Sequence, residues 1–322
     1  MAESLVNYYF FKDALKNLDE KYLKYIRPTD SKIFLKANAL NIPKYYKSNK
    51  LRSYDYGIKH KLHNLNTKEF LETLCEYTLN NGIDDENLLL LYGIVAEYTI
   101  ESYINPFVIA RSGLYSKSKI KTHKYRYNKN KLEKALDQIL FKEREGIDLL
   151  KINLVKKFRG GFRFSFIDLN MLDYAINKVY FFPNTFSLYT KSTKLFKFFS
   201  THYKIDFLHL KNITIYTNNF LRSIFSKQFE YISPYTKLKN IDYKNKNNNP
   251  YPDLSTGENI YKDFDTLYNE ALEKVQVYYD AINKFIFLHN KKAFNKTFTD
   301  LSIDTNSLSK EAFIKYSSSI FN

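Results

Sequence analysis

Glu97, Glu101 and Asn105 recur at four-residue intervals in the run NLLLLYGIVAEYTIESYINPFVIAR, residues 87–111. On a helix that spacing stacks all three on one face. Leu88 to Leu91, Ile94, Val95, Tyr98 and Ile104 fill the remaining positions, so the helix is expected to be buried nearly all round. Two carboxylates and an amide aligned inside such a helix are costly unless something pairs them. A metal, a cation or a hydrogen-bond network would do so.

The elements that must position this helix read as helices too. Residues 6–18 carry an apolar stripe of Val6, Phe10, Ala14 and Leu18, and a second helical piece over 32–40 stops before Pro43. Residues 47–66 read as loop or short helices. Thr67 is expected to cap a helix to about Leu79 that turns Phe70, Leu71, Leu74 and Tyr77 inward. Asn81-Gly82 ends it, and Asp84 or Asp85 starts the central helix. Residues 112–130 read as a mobile basic loop and 131–143 as helix. RGGFRF at 159–164 is a turn and a weak phosphate nest. Three aromatic-rich helices follow over 169–182, 187–203 and 208–228, broken by Pro183 and Asp206. Residues 233–261, rich in Asn, Lys and Pro, read as a flexible loop. A last long helix runs from Phe264 to about His289, burying Leu267, Ala271, Val275, Tyr278, Ile282 and Phe285. Strand alternation is confined to 162–166 and 213–216. The expected fold is therefore all-α: one multi-helix domain over 1–290 around the 87–110 helix, with a polar extension of short helix and tail over 291–322.

The 322 residues carry a net charge of +16, which favours anionic partners. Lys117, Lys119, Lys121, Lys124 and Arg126 alternate with Tyr115, Tyr125 and Tyr127, a mix that suits phosphates and stacked bases as well as a solvated loop. Lys191, Lys194 and Lys197 make a basic helix edge, or a solvated face. Cys75 is the single cysteine, which excludes an internal disulfide and fits a reducing compartment. Glu3 with no basic segment before an apolar core argues against a signal peptide. The 87–110 run has the length of a membrane span, but Glu97 and Glu101 near its centre oppose that reading. The expected location is cytoplasmic, without a transmembrane segment. No dinucleotide fingerprint, P-loop, CxxC or readable Ser-His-Asp arrangement is present.

The stretch YGIVAEYTIESYINPFV resembles the zinc-dependent phospholipase C family, whose matching helix reads roughly GFxxHYxLDSxxHPY. Gly93, Tyr98, Ser102 and Pro106 keep that frame, while Glu97, Glu101 and Asn105 stand where the family has His, Asp and His. NYYFFKDALKNL resembles the family opening HYxFGKDVLKxL, with Asn7 in place of a zinc-binding His. KANALNIPKYYK is similar to GLHGPDILFYYK, which sets Asn38 at a family His and Asn41 at a ligand Asp. HKLHNLNTKEFLETL resembles KMHEEPAKEFFENA and keeps His63 at a ligand position. KLEKALDQIL resembles HTEIEVEFDRFL, which places Lys129 at a ligand His and keeps Glu133 and Asp137. NPYPDLSTGENIYKDFDTLYNEALEKV looks like the family's last segment, a TGE turn before a helix. Read without the family, Asn38 and Asn41 are turn formers and His63 a structural loop histidine.

The resemblance implies an all-helical scaffold that, in the family, holds three zinc ions on a phospholipid phosphodiester and activates water. Secreted members add the mature N-terminal amine as a ligand. Here His63 and Glu133 are the matching ligands kept; Asn7, Asn41, Asn105 and Lys129 replace others, and Glu97 and Glu101 are non-equivalent. Amides and an ammonium suit zinc poorly, so the resemblance points to a pseudoenzyme without a cofactor, acting as a binding or structural protein for an anionic phospholipid surface or another anionic macromolecule. In the degenerate pocket, Lys129 is expected to pair with Glu97 or Glu101, and Asn7, Asn41 and Asn105 to donate to the remaining oxygens. Two alternatives stand beside it. His63, Glu97, Glu101 and Glu133 could hold one divalent cation such as Mg²⁺, Mn²⁺ or Ca²⁺ and retain phosphodiesterase chemistry. The basic, aromatic surface could instead serve a structural or nucleic-acid-binding protein.

Overall fold

Apolar residues at helical period dominate the chain, and the fold follows from packing those stripes together. The computed structural model describes residues 4–45, 57–115, 120–201, 238–308 and 314–321. Within them lie α1 (Ser4–Lys16), α2 (Glu20–Leu23), α3 (Asp30–Lys36), α4 (Gly57–Asn64), α5 (Thr67–Asn81), α6 (Asp85–Ser112), α7 (His123–Glu145), α8 (Leu154–Lys157), α9 (Phe166–Tyr180), α10 (Thr185–Thr201), α11 (Phe264–Leu288) and α12 (Lys291–Thr297). The strand content among the described residues is small: β1 (Tyr251–Pro252) pairs antiparallel with β2 (Asn259–Ile260), with one isolated bridge between Leu301 and Leu308. The fold is all-α, as expected.

Helix α6 is the axis. The Asp84 side chain caps it, accepting from Asn87 N at 2.7 Å, and from Asn87 to Ser112 all residues but Tyr103 and Pro106 are buried. Helix α11 lies along it. The Tyr92 and Tyr279 rings meet at 4.8 Å, Tyr279 donates to the Tyr92 carbonyl at 3.0 Å, and Tyr92 donates to Asn283. Every residue of the expected α11 stripe, Leu267 to Phe285, is buried. The end of α3 approaches α6 so closely at Gly93 that a Cβ there would sit 2.8 Å from the Lys36 carbonyl carbon and oxygen. A glycine is what that crossing requires. Asp137 of α7 accepts from the first amides of α1, Leu5 N at 3.1 Å and Val6 N at 2.8 Å, replacing a local cap.

Several expectations change. The described residues of the expected mobile basic loop over 112–130 are largely helix, because α7 begins at His123 rather than near 131. Charge density suggested a loop, but Lys and Arg are good helix formers, and buried Asn128 and Leu132 continue the inward face of α7. Thr67 is the first residue of α5, not its cap. Asn66 precedes it in a left-handed conformation without a side-chain cap, and Asp300 accepts from Lys68 N at 2.9 Å instead. Residues 162–165 are turn, bend and irregular backbone, not strand, and Phe166 opens α9. The RGGFRF glycine Gly161 serves packing: a Cβ there would meet the Ser31 carbonyl oxygen at 2.4 Å. The expected helix over 208–228 and strand over 213–216 lie outside the described residues.

The segments expected to be loop and tail are tied to the helical body. In the described part of 233–261, Arg111 donates to the carbonyls of Tyr243 at 2.9 Å and Asp242 at 2.8 Å. Beyond α11, Phe294 and Phe298 are buried, Phe298 stacks on Tyr278 at 4.5 Å, and Ile303 N donates to the His63 carbonyl at 3.1 Å. That return path carries Asp304 into the centre of the molecule.

Candidate functional site

Halfway along α6, Glu97, Glu101 and Asn105 face one way, as their spacing demands, and none has measurable solvent exposure. Each meets a different segment. Glu97 receives main-chain amides from the turn after α3, Leu40 N to Oε2 at 2.7 Å and Asn41 N to Oε1 at 2.8 Å. Glu101 Oε1 accepts from Asn41 Nδ2 at 2.7 Å and from Asn7 Nδ2, on α1, at 3.3 Å. Asn105 Nδ2 donates to Asp304 Oδ1 at 2.6 Å, and Asn64 Nδ2 donates to Asp304 Oδ2 at 3.1 Å. His63 on α4 joins the same turn, its Nε2 lying 3.1 Å from the Leu40 carbonyl oxygen as donor. Asn38 holds the turn by donating to the carbonyls of Phe34 at 2.7 Å and Ser4 at 3.1 Å.

Burial sets the charge states. It pushes the Glu97 carboxyl well above the usual range, helped by Glu101, while the two turn amides oppose it. Burial raises Glu101 as well, Glu133 adds to this, and the amides of Asn41 and Asn7 pull it down. His63 is pushed down to about 3, first by burial and then by Lys59, so its imidazole is neutral. Burial alone would raise Asp304, but nearby positive charge, Lys129 first, and the hydrogen bond from Asn64 together hold the carboxylate below its ordinary value. Burial acts against the half-buried Lys129 too, yet Glu133, then Asp304 and Glu101, raise it and keep the ammonium charged.

The structure brings Asn7, Asn41, His63, Glu97, Glu101 and Asn105 to the 38–42 turn and its surroundings, and two of the expected pairings differ. Lys129 is under the influence of Glu133, Asp304 and Glu101; Glu97 is occupied by main-chain amides, because the 38–42 turn brings two N–H groups against it. Asn105 donates to Asp304 rather than to a glutamate. Asp304 and Asn64 are the site residues that sequence reasoning missed. Asn105 and Asp304 are 199 positions apart, and nothing local in LSIDTNS marks it as more than a polar tail.

The zinc cluster that the resemblance implies does not fit these residues. Zinc takes imidazole nitrogen, thiolate and short carboxylate. Here His63 Nε2 is spent on Leu40, both Glu97 oxygens accept amides, and three ligand positions carry Asn. The remodelled set of His63, Glu97, Glu101 and Glu133 is corrected likewise. Among the described residues no three His, Cys, Asp or Glu side chains gather as a metal site.

The basic positions are on the surface where they are described. Lys121 and Lys124 are exposed, Arg126 lies on α7, and Lys117 and Lys119 fall outside the described residues. Lys191, Lys194 and Lys197 are exposed along α10. Phe186 lies on the same stripe as Thr190, Lys194 and Lys197, and its ring meets Phe166 at 5.8 Å. Phe166 is 71% exposed and Ile167 39%, beside exposed Arg163. No described helix is long and apolar enough to cross a membrane.

Set beside family models, curated proteins and solved structures, the chain matches none.

Proposed function

We propose that this chain is a phospholipase C-like protein in which a buried hydrogen-bond network has replaced the zinc cluster, and that it acts by binding anionic phospholipid surfaces. Two things support the pseudoenzyme half: the frame of Gly93, Tyr98, Ser102 and Pro106, and the commitment of Glu97, His63 and Asn105 to internal partners. The expected outcome is no chelator-sensitive turnover of phosphatidylcholine by the purified chain; such turnover would overturn it.

The observation that carries the binding half is the α10 edge. Exposed Lys191, Lys194 and Lys197 lie along α10, the helix whose Phe186 ring meets the exposed Phe166, and exposed Ile167 and Arg163 are chain neighbours of Phe166. An anionic interface accepts both the exposed Phe166 ring and the exposed lysines of this surface. Each basic residue near such a surface contributes roughly 1 kcal/mol, so the three lysines and Arg163 support salt-sensitive, reversible binding. Co-sedimentation with vesicles of phosphatidylcholine and phosphatidylserine, against phosphatidylcholine alone, tests this at low and high salt. Binding to the anionic vesicles, at least tenfold weaker in K191E/K194E/K197E and weaker in F166S, is the expected result. Binding to polynucleotide but not to vesicles would favour a nucleic-acid-binding protein instead.

A further inference from the structure

Among the described residues, fourteen large apolar or aromatic side chains are exposed, and four of them belong to α9 and its C-cap: Phe166, Ile167, Tyr174 and Phe181. No other described helix carries more than two. Single exposed apolar residues are ordinary; a row of them on one element is not. Phe166 turns to α10, where its ring meets Phe186. The other three recur every seven residues, which is two helical turns, so Ile167 and Tyr174 share a stripe and Phe181 continues it at the cap. They are 39%, 42% and 77% exposed. The opposite side of α9 is committed to the core through Met171, Leu172, Ala175, Ile176 and Val179. Helix α9 is therefore apolar on two sides, and its outer stripe faces away from the core.

Phe181 adds to this. Its φ of 55° is left-handed, a cap conformation that Gly or Asn adopts at less cost. The ring is held where neither backbone preference nor burial in this chain favours it.

Charge selects the partner. The whole chain carries +16, but the charged residues beside the stripe are Asp173 and Lys178, which cancel, and Lys178 is bridged to Glu76 at 3.0 Å. An anionic surface gains little here, whereas a neutral apolar surface matches, and the stripe itself is one. About a two-fold axis through Tyr174, an antiparallel copy sets Ile167 opposite Phe181 at both ends, the smaller side chain against the larger, and Tyr174 against Tyr174. We propose that two copies of this chain associate through α9 in this antiparallel arrangement. With 15 residues the helix is about 22 Å long, which leaves the stripe below the roughly 800 Å² per partner of a standard interface. The homodimer is accordingly weak and reversible.

Sedimentation velocity of the full chain, from low-micromolar to near-millimolar concentration, tests this at low and high salt. A monomer–dimer equilibrium is expected. Salt screens the repulsion between two +16 chains, so the dimer should hold or strengthen as salt rises, opposite to vesicle binding. I167D and F181D should each weaken it at least tenfold, while K191E/K194E/K197E should dimerise at least as well as the parent. Matching circular dichroism and unfolding midpoints show that the variants fold, and I167D serves if F181D does not. A monomer at every concentration in high salt, an undiminished dimer in the folded stripe variants, or loss of the dimer in the lysine variant would overturn the proposal. Phe166 lies off the stripe, so the vesicle result with F166S and the dimer can fail independently.

Discussion

Helix α6 carries two buried charge clusters, and they are built on opposite principles. At its start, Lys36 sends its ammonium to Glu86 Oε2 at 2.6 Å, the Glu86 carbonyl at 2.9 Å and Asp168 Oδ1 at 2.8 Å. Asp168 in turn closes a capping box with Ser165, and it exchanges hydrogen bonds with that residue at 3.0 Å. The Lys36 donors are all used, and the lysine is 1% exposed. Half-way along, Glu97 is equally closed, but Glu101 has one oxygen answered by two amides and the other by nothing. A self-satisfied cluster is what structure alone requires. The open one, at the meeting of three segments, leaves three acceptor bonds unmade and is held by fewer bonds.

The closed cluster should be the costlier to break. Lys36→Met leaves Asp168 buried without its cation, and chemical denaturation should show a loss of about 3–5 kcal/mol. If the loss is below about 1 kcal/mol, the ion pair is not what joins α3, α6 and α9. The two glutamates should then separate in metal-free buffer. Glu97→Gln turns a donor against one of two main-chain amides and should cost about 1–3 kcal/mol. Glu101→Gln keeps an acceptor, removes a penalised charge and should stay within about 1 kcal/mol of the parent. Equal losses would erase the distinction between a closed and an open carboxylate.

The two carboxylates and His63 also give the fold a pH dependence. His63 is neutral in the fold because burial pushes it down to about 3, while the unfolded chain protonates near its ordinary value of about 6.5. Stability contributed by the neutral ring is therefore complete above pH 6.5 and is lost as pH falls toward 3. The slope is at most about 1.4 kcal/mol per pH unit. Glu97 and Glu101 are raised and act in the opposite sense, favouring the fold below their unfolded values and losing that contribution as pH rises through the folded ones. In His63→Gln the acid-side slope between pH 6.5 and 4 should flatten; an unchanged slope would place the titrating group elsewhere.

The all-helical class, the extent of α6 to within two residues at each end, the α11 stripe and the shared face of Glu97, Glu101 and Asn105 were legible in the chain. Period and capping chemistry are local properties, and Asp84, Gly113 and the run of apolar residues between them carry both. Tertiary structure alone decided what each polar group on that face meets. Glu97 could have taken Lys129; the end of α3, pressed against Gly93, sets the following turn so that it delivers two main-chain amides first. Asn105 finds Asp304 because the chain after α11 folds back across α4 and α5, a contact between distant positions that no local pattern encodes. The orphaned oxygens of Glu101, Asn7 and Asn41 are likewise invisible in sequence. Residue type states how many hydrogen bonds a side chain can make; only the packed arrangement shows which of them go unmade.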